Sequence, residues 1–189
     1  KPANLVGASL GGMTSLSLAG DPDYSSLCKS LTMVDIGIYP NQDGSDRIVE
    51  FMKSAKNGFS SLEEAADYIS NFLPHREKPK DLSGLHKNLR KKNDRFYWHW
   101  DPKFLQGRQG QDIKEYFGHL EEAANFLNIP TLLIRGGLSD VLTEEDKDYF
   151  LKVVSHAEFE EISNAAHMVA GDKNDIFSIA VEKFLVKNN

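Results

Sequence analysis

The chain has 189 residues, of which 40% are hydrophobic and 26% charged, and its formal net charge is −6. That length accommodates one domain with a sizeable core and is short for two, while the negative balance argues against a nucleic acid or an anionic membrane as partner, because both require a positive surface. The single cysteine, Cys28, excludes an internal disulfide and fits a reducing, cytoplasmic setting. No apolar run reaches the roughly 18 residues that a membrane-spanning helix needs.

In chain order, residues 3–6 read as a buried strand, followed at once by Gly7-Ala8-Ser9-Leu10-Gly11 and by a helical pattern over 10–19. Strand, then Gly-x-Ser-x-Gly, then helix is the order a nucleophile elbow requires, with the serine in a strained turn and glycines where side chains would strike neighbouring backbone. Residues 30–35 and 130–135 read as two further buried parallel strands, and 157–162, alternating apolar and acidic, as a strand nearer an edge. Helices are expected over 143–154, with Thr143 and Asp146 as the capping pair, and over 175–187, with Asp172 or Asn174 as cap.

Between the second and third strands the alternation stops. Residues 37–127 carry helical segments at 46–56, 62–72, 82–92 and 112–126, Ser61 with Glu64 forming a capping box for the second. This predicts a helical insertion without strands, dividing the chain into 1–36, 37–127 and 128–189. Lys87, Arg90, Lys91, Lys92 and Arg95 read as a solvated helix end. The aromatic group Phe96, Tyr97, Trp98, Trp100 and Phe104 either packs the insertion's own core or lines a pocket with apolar walls. The overall class is α/β, a mostly parallel sheet with helices on both faces.

A serine hydroxyl is a poor nucleophile until a base takes its proton and an acid fixes the base's tautomer. His167, in the small-residue loop Asn164-Ala165-Ala166-His167, follows the last strand, and Asp140, in Gly136-Gly137-Leu138-Ser139-Asp140, follows the third. Loops at the carboxyl ends of parallel strands gather on one side of the sheet, where the elbow also opens. Asp140 alone could serve as a turn residue or cap, and Asp35, also at a strand end, is a second acid candidate. His75, His86, His99, His119 and His156 do not pair at i+3 or i+4 with another histidine, so no metal site is indicated.

Val6 to Gly12, Val34-Asp35-Ile36, Trp98 to Phe104, Pro130 to Asp140 and Ala166 to Asp172 together make the chain similar to the carboxyl-terminal part of an α/β-hydrolase-fold protein. Within that fold it resembles the serine-hydrolase branch of small esterases often labelled cofactor-free peroxidases. The resemblance implies Ser9 as nucleophile, His167 as general base, Asp140 as acid and the backbone N–H of Leu10 as one oxyanion donor. It further implies that 37–127 is a cap whose Trp98 and Trp100 contact the substrate, a small acyl compound, with no metal or other cofactor. A nucleophilic serine sets the chain apart from relatives with a carboxylate there, and Ala8 stands where the family often has histidine.

The same resemblance implies that the family's amino-terminal strands, with the loop supplying the second oxyanion N–H, are absent. The partner expected to restore them is the missing amino-terminal segment or another subunit. The chain alone is expected to be inactive, or to be a non-catalytic ligand-binding or partner-binding member of the fold.

Overall fold

The computed structural model describes residues 1–106 and 113–189. It divides into two compact units, one made of Lys1–Ser45 with Gln111–Asn189, the other of Asp46–Gly110. In the first unit β1 (Ala3–Ala8), β2 (Cys28–Val34), β5 (Thr131–Gly136) and β6 (Glu158–Ile162) form a sheet in that spatial order. Every pairing is parallel: Ala8 lies opposite Val34, Val34 opposite Ile134, and Gly136 opposite Ile162. Each strand therefore ends at nearly the same level, and the loops that follow all open on one edge.

β2 and β5 are buried along almost their whole length, as their unbroken apolar runs predict for strands covered on both faces. Val34, Leu132 and Ile134 point to one face and meet Ile162, Phe184 and, from the short α6 (Val169–Asp172), Val169, over which α7 (Asn174–Lys187) packs Phe177, Ala180 and Val181. The alternate residues Leu31, Met33 and Leu133 are also fully buried, so the other face is covered too. β6 lies at an edge, as its acidic alternation suggests. β1 is less buried than its apolar run predicts: most of its own residues are exposed, and among the described residues it has only β2 beside it in the sheet.

α1 (Leu10–Ala19) packs on β1 and β2 and runs against α4 (Ile113–Phe126). Gly20 makes that approach possible, since a Cβ there would lie 2.1 Å from the Ala123 carbonyl oxygen. α4 thus belongs with the sheet unit, and the compact insertion is narrower than 37–127; Asp112, expected to open this helix, lies outside the described residues. α5 (Glu144–Val153) begins with the capping box expected from sequence: Thr143 Oγ1 accepts from Asp146 N–H, and the Asp146 carboxylate accepts from Thr143 N–H. At α7 neither Asp172 nor Asn174 is the cap. Lys173 occupies that position, and the Asp172 carboxylate is used elsewhere.

Glu121 on α4 accepts hydrogen bonds from the hydroxyls of both Tyr39 and Tyr149, tying α4 to α5 and to the segment after β2. Burial, reinforced by that carboxylate, pushes the Tyr39 hydroxyl up to about 12.

The second unit holds α3 (Leu62–Phe72), most of α2 (Gln42–Ser54) and a two-stranded sheet that the sequence pattern does not predict. β3 (Leu89–Lys92) and β4 (Arg95–Trp98) pair antiparallel across Asn93-Asp94, whose φ values are 50° and 59°. Two consecutive left-handed residues make the tight turn whose twist matches a hairpin. The predicted helix over 82–92 is therefore a short 3₁₀ turn, Ser83–Lys87, followed by a strand. The basic cluster lies in this turn and hairpin, not at a helix end. Ser61 caps α3 as expected, accepting from Glu64 N–H at 3.1 Å, but the Glu64 carboxylate reaches Ser60 in place of Ser61. Among the described residues no helix is long and apolar enough to cross a membrane.

Candidate active site

Ser9 occupies a backbone geometry that residues with a β-carbon avoid, with φ 50° and ψ −119° between β1 and α1. Its N–H donates to the Val34 carbonyl at 3.0 Å, one residue before Asp35, and its carbonyl accepts from Gly12 and Met13, starting the helix. Gly7 is obligatory: a Cβ there would stand 2.3 Å from the Gly11 carbonyl oxygen. Gly12 is equally tight, since a Cβ there would meet Ile36 Cγ2 at 2.5 Å and the Gly7 oxygen at 2.9 Å. Gly11, the second glycine of the motif, behaves differently, because nothing lies within 4 Å of the side chain it lacks. The steric demand implied by the motif therefore falls on Gly7 and Gly12.

Of the two acid candidates, the structure puts the second, Asp35, beside the imidazole. His167 Nδ1 lies 2.8 Å from Asp35 Oδ2, so the carboxylate that meets the imidazole comes from the end of β2 and not from Asp140. A carboxylate oxygen accepts hydrogen bonds, so in this contact Nδ1 is the donor, and Nε2 is the ring nitrogen that Asp35 does not engage. Asp35 is completely buried, and its φ of 54° is again left-handed. A buried carboxylate needs donors, and three converge here. The Gly136 N–H donates to Oδ1 at 2.7 Å, while the Ser139 hydroxyl and His167 share Oδ2.

Asp140 stands one residue beyond that hydroxyl, half-buried, with its carbonyl oxygen only 2.2 Å from where a Gly44 Cβ would be. The loop carrying it is pinned from several sides. The buried Arg135 donates from Nε to the Leu142 carbonyl at 2.8 Å and pairs with Glu144 and Glu161 at 2.5 Å. Leu138 N–H donates to the Ala165 carbonyl at 2.8 Å, linking this loop to the histidine loop. Gly136 permits the contact, since a Cβ there would come within 2.4 Å of the Ala166 oxygen. Asp172 then fixes the histidine loop by accepting the Ala166 N–H at 2.8 Å.

The structure thus places Ser9 after β1, Asp35 after β2 and His167 in the loop after β6, at the same end of the sheet, with His167 only 13% exposed in its side chain. Among the hydrogen bonds of the described residues none joins Ser9 Oγ to the imidazole; such catalytic bonds are often loose before substrate arrives. Leu10 heads α1, its side chain exposed, like those of Leu138 and Met168 beside the other site residues. Sequence reasoning does not reach Ser139 and Gly136, which act on the site through contacts about a hundred residues distant in the chain, or Asp172, whose contact with the histidine loop is local. Trp98 packs within its own unit, edge-on to Phe59 at 5.3 Å and beside Phe51 at 5.6 Å, and Trp100 stacks on it at 4.6 Å. Both tryptophans thus have packing duties inside the second unit.

A parallel sheet ending in a strained serine elbow, an acid and a histidine loop defines an α/β-hydrolase type of protein. Residues 1–173 match the family described as alpha/beta hydrolase fold, and the chain belongs to that family. Among solved structures it is similar to E-2-(acetamidomethylene)succinate hydrolase, with a TM-score of 0.80 and 17% identity over 97% of this chain and 66% of that one. An esterase from Mycobacterium tuberculosis superposes with a TM-score of 0.74 at 25% identity, covering 97% of this chain and 60% of the esterase. A thioesterase domain from the curacin biosynthetic pathway gives 0.68 at 17%, with coverages of 98% and 67%. The chain spans about two-thirds or less of the length of most such neighbours.

Proposed function

We propose that this chain carries the reacting groups of a serine hydrolase for small, apolar esters, thioesters or lactones. Ser9 is the nucleophile, His167 the general base, Asp35 the acid and Leu10 N–H an oxyanion donor. The observation that carries the reading is the 2.8 Å contact of His167 Nδ1 with a buried carboxylate, beside a serine held at φ 50°. Ser9 Oγ adds to the acyl carbon while His167 Nε2 takes its proton. The bond to the leaving group then breaks, and Nε2 returns the proton to that group. Water attacks the acyl-enzyme by the reverse use of the same base, releasing the acid and restoring Ser9. Hydrogen peroxide in place of water would give a peracid as a side product. The exposed Leu10, Leu138 and Met168 favour apolar acyl groups, and the esterase and thioesterase among the structural neighbours agree with this chemistry.

One observation favours a second polypeptide segment as part of the working enzyme. Among the described residues β1 pairs on one side only, and Val6 within it and Leu10 just after it are exposed. We propose that a strand, from this protein's own sequence or another subunit, completes that edge and supplies a second oxyanion donor, whose loss typically costs on the order of 10² to 10³ in rate. Reaction with a fluorophosphonate probe and hydrolysis of p-nitrophenyl butyrate test the whole reading. Labelling confined to Ser9 and lost in Ser9→Ala supports it. Equal labelling or turnover in Ser9→Ala removes it, and the non-catalytic alternative then stands.

A further inference from the structure

We infer that Ser139 is a positioning residue for the candidate triad: its hydroxyl holds the Asp35 carboxylate in the orientation that grips His167. This rests on the serine-hydrolase reading for its kinetic part and on geometry for the rest. A hydroxyl has one proton to donate and two lone pairs to accept with. Here the backbone N–H groups of Val141 and Leu142 both point at Ser139 Oγ, at 3.2 and 3.3 Å. With both lone pairs engaged, the single proton goes to Asp35 Oδ2, the same oxygen that His167 Nδ1 meets at 2.8 Å.

The direction of every bond in the chain is therefore fixed. Two peptide dipoles polarise the hydroxyl, the hydroxyl polarises the carboxylate, and the carboxylate orients the imidazole. Ser139 is itself largely buried, at 9% exposure. Asp35 has no exposure, and without Ser139 it would retain two donors, Gly136 N–H and the imidazole. Oδ2 would then be free to swing about the Oδ1 anchor, and the imidazole would follow.

The tests use this chain with Ser139→Ala and Ser139→Thr, each also combined with Asp35→Asn. Three quantities are read: the rate of fluorophosphonate labelling at Ser9, the melting temperature, and the far-downfield proton resonance of the His167 imidazole N–H. Ser139→Ala is expected to slow labelling about tenfold and to broaden or shift the resonance, as the loss of one hydrogen bond to a charged group would. Ser139→Thr keeps the hydroxyl and should recover most of that loss, although its extra methyl makes it the worse substitution on packing grounds. In the Asp35→Asn background, Ser139→Ala should change labelling by less than about twofold, because coupled residues do not add.

Equal slowing in both backgrounds overturns the proposal, since Ser139 would then act through the fold alone. So does a Thr variant that melts like the parent yet labels as slowly as Ala. If Ser9 is not labelled in any form, the hydrolase reading fails separately. The imidazole resonance then decides, and a resonance unmoved by Ser139→Ala overturns the Ser139 role.

Discussion

Replacing Asp35 by asparagine is the sharpest perturbation the site allows, because it swaps a carboxylate for a near-isostere in a fully buried place. In the proposed mechanism His167 becomes an imidazolium during acylation, and the Asp35 charge beside it is what the variant removes. With charge centres about 4 Å apart and an effective dielectric of about 20, their attraction is about 4 kcal/mol. At about 1.4 kcal/mol per decade this corresponds to about three decades in rate. Stability should suffer as well. Asp35 accepts from Gly136, Ser139 and His167, whereas an amide has one acceptor oxygen, so at least one donor would face an N–H at a cost of about 1–3 kcal/mol. Asp140→Asn should slow the reaction by less than about tenfold, as a half-solvated charge away from the imidazole contributes about 1 kcal/mol or less. The assay is the rate of Ser9 labelling by fluorophosphonate, with p-nitrophenyl butyrate turnover as its partner. A thousandfold loss in Asp140→Asn, with Asp35→Asn near the parent rate, would refute the assignment of the acid.

Two further outcomes follow from contacts elsewhere. Gly7→Ala should cost at least about 3 kcal/mol in urea unfolding, because its methyl meets backbone that cannot yield, whereas Gly11→Ala should be neutral or stabilising by up to about 1 kcal/mol in a helical first turn. Tyr39 holds its proton up to about pH 12 in the folded chain, against about 10 for an unperturbed tyrosine, so its contribution is complete below about pH 10 and is lost as pH rises towards 12. Stability should accordingly fall more steeply over that window in the parent than in Tyr39→Phe, as followed by chemical unfolding at stepped pH.

The elbow is legible in the sequence because its signal is local. Gly7, Ser9 and the helix after them lie within a dozen residues, and strand-to-helix geometry leaves little choice for the backbone there. The buried strands and the histidine loop are legible from apolar runs closed by small residues. The acid is not. Asp35 and Asp140 both follow buried strands that neighbour each other in the sheet, and residue type and chain order cannot separate two adjacent strand ends. What selects Asp35 is its 2.8 Å reach to Nδ1 together with Ser139 and Gly136, about a hundred residues further along the chain. The hairpin is hidden for another reason: Leu89 to Lys92 is rich in lysine and arginine, and its turn is Asn93-Asp94, without the glycine that usually marks such loops. The exposure of β1 depends on which strands are its neighbours, something its own residues do not encode.

That exposed edge has a thermodynamic corollary. Any strand that adds to β1 binds the folded chain and not the unfolded one, so it stabilises the fold by mass action. Its binding is felt first where main-chain support is one-sided, along the six residues that lead into Ser9. By linkage, if the added strand strengthens the binding of an inhibitor at the elbow, that inhibitor tightens the grip on the strand by the same factor. Strand addition and inhibitor binding at Ser9 are then two readings of a single equilibrium, and the concentration of one sets the apparent strength of the other.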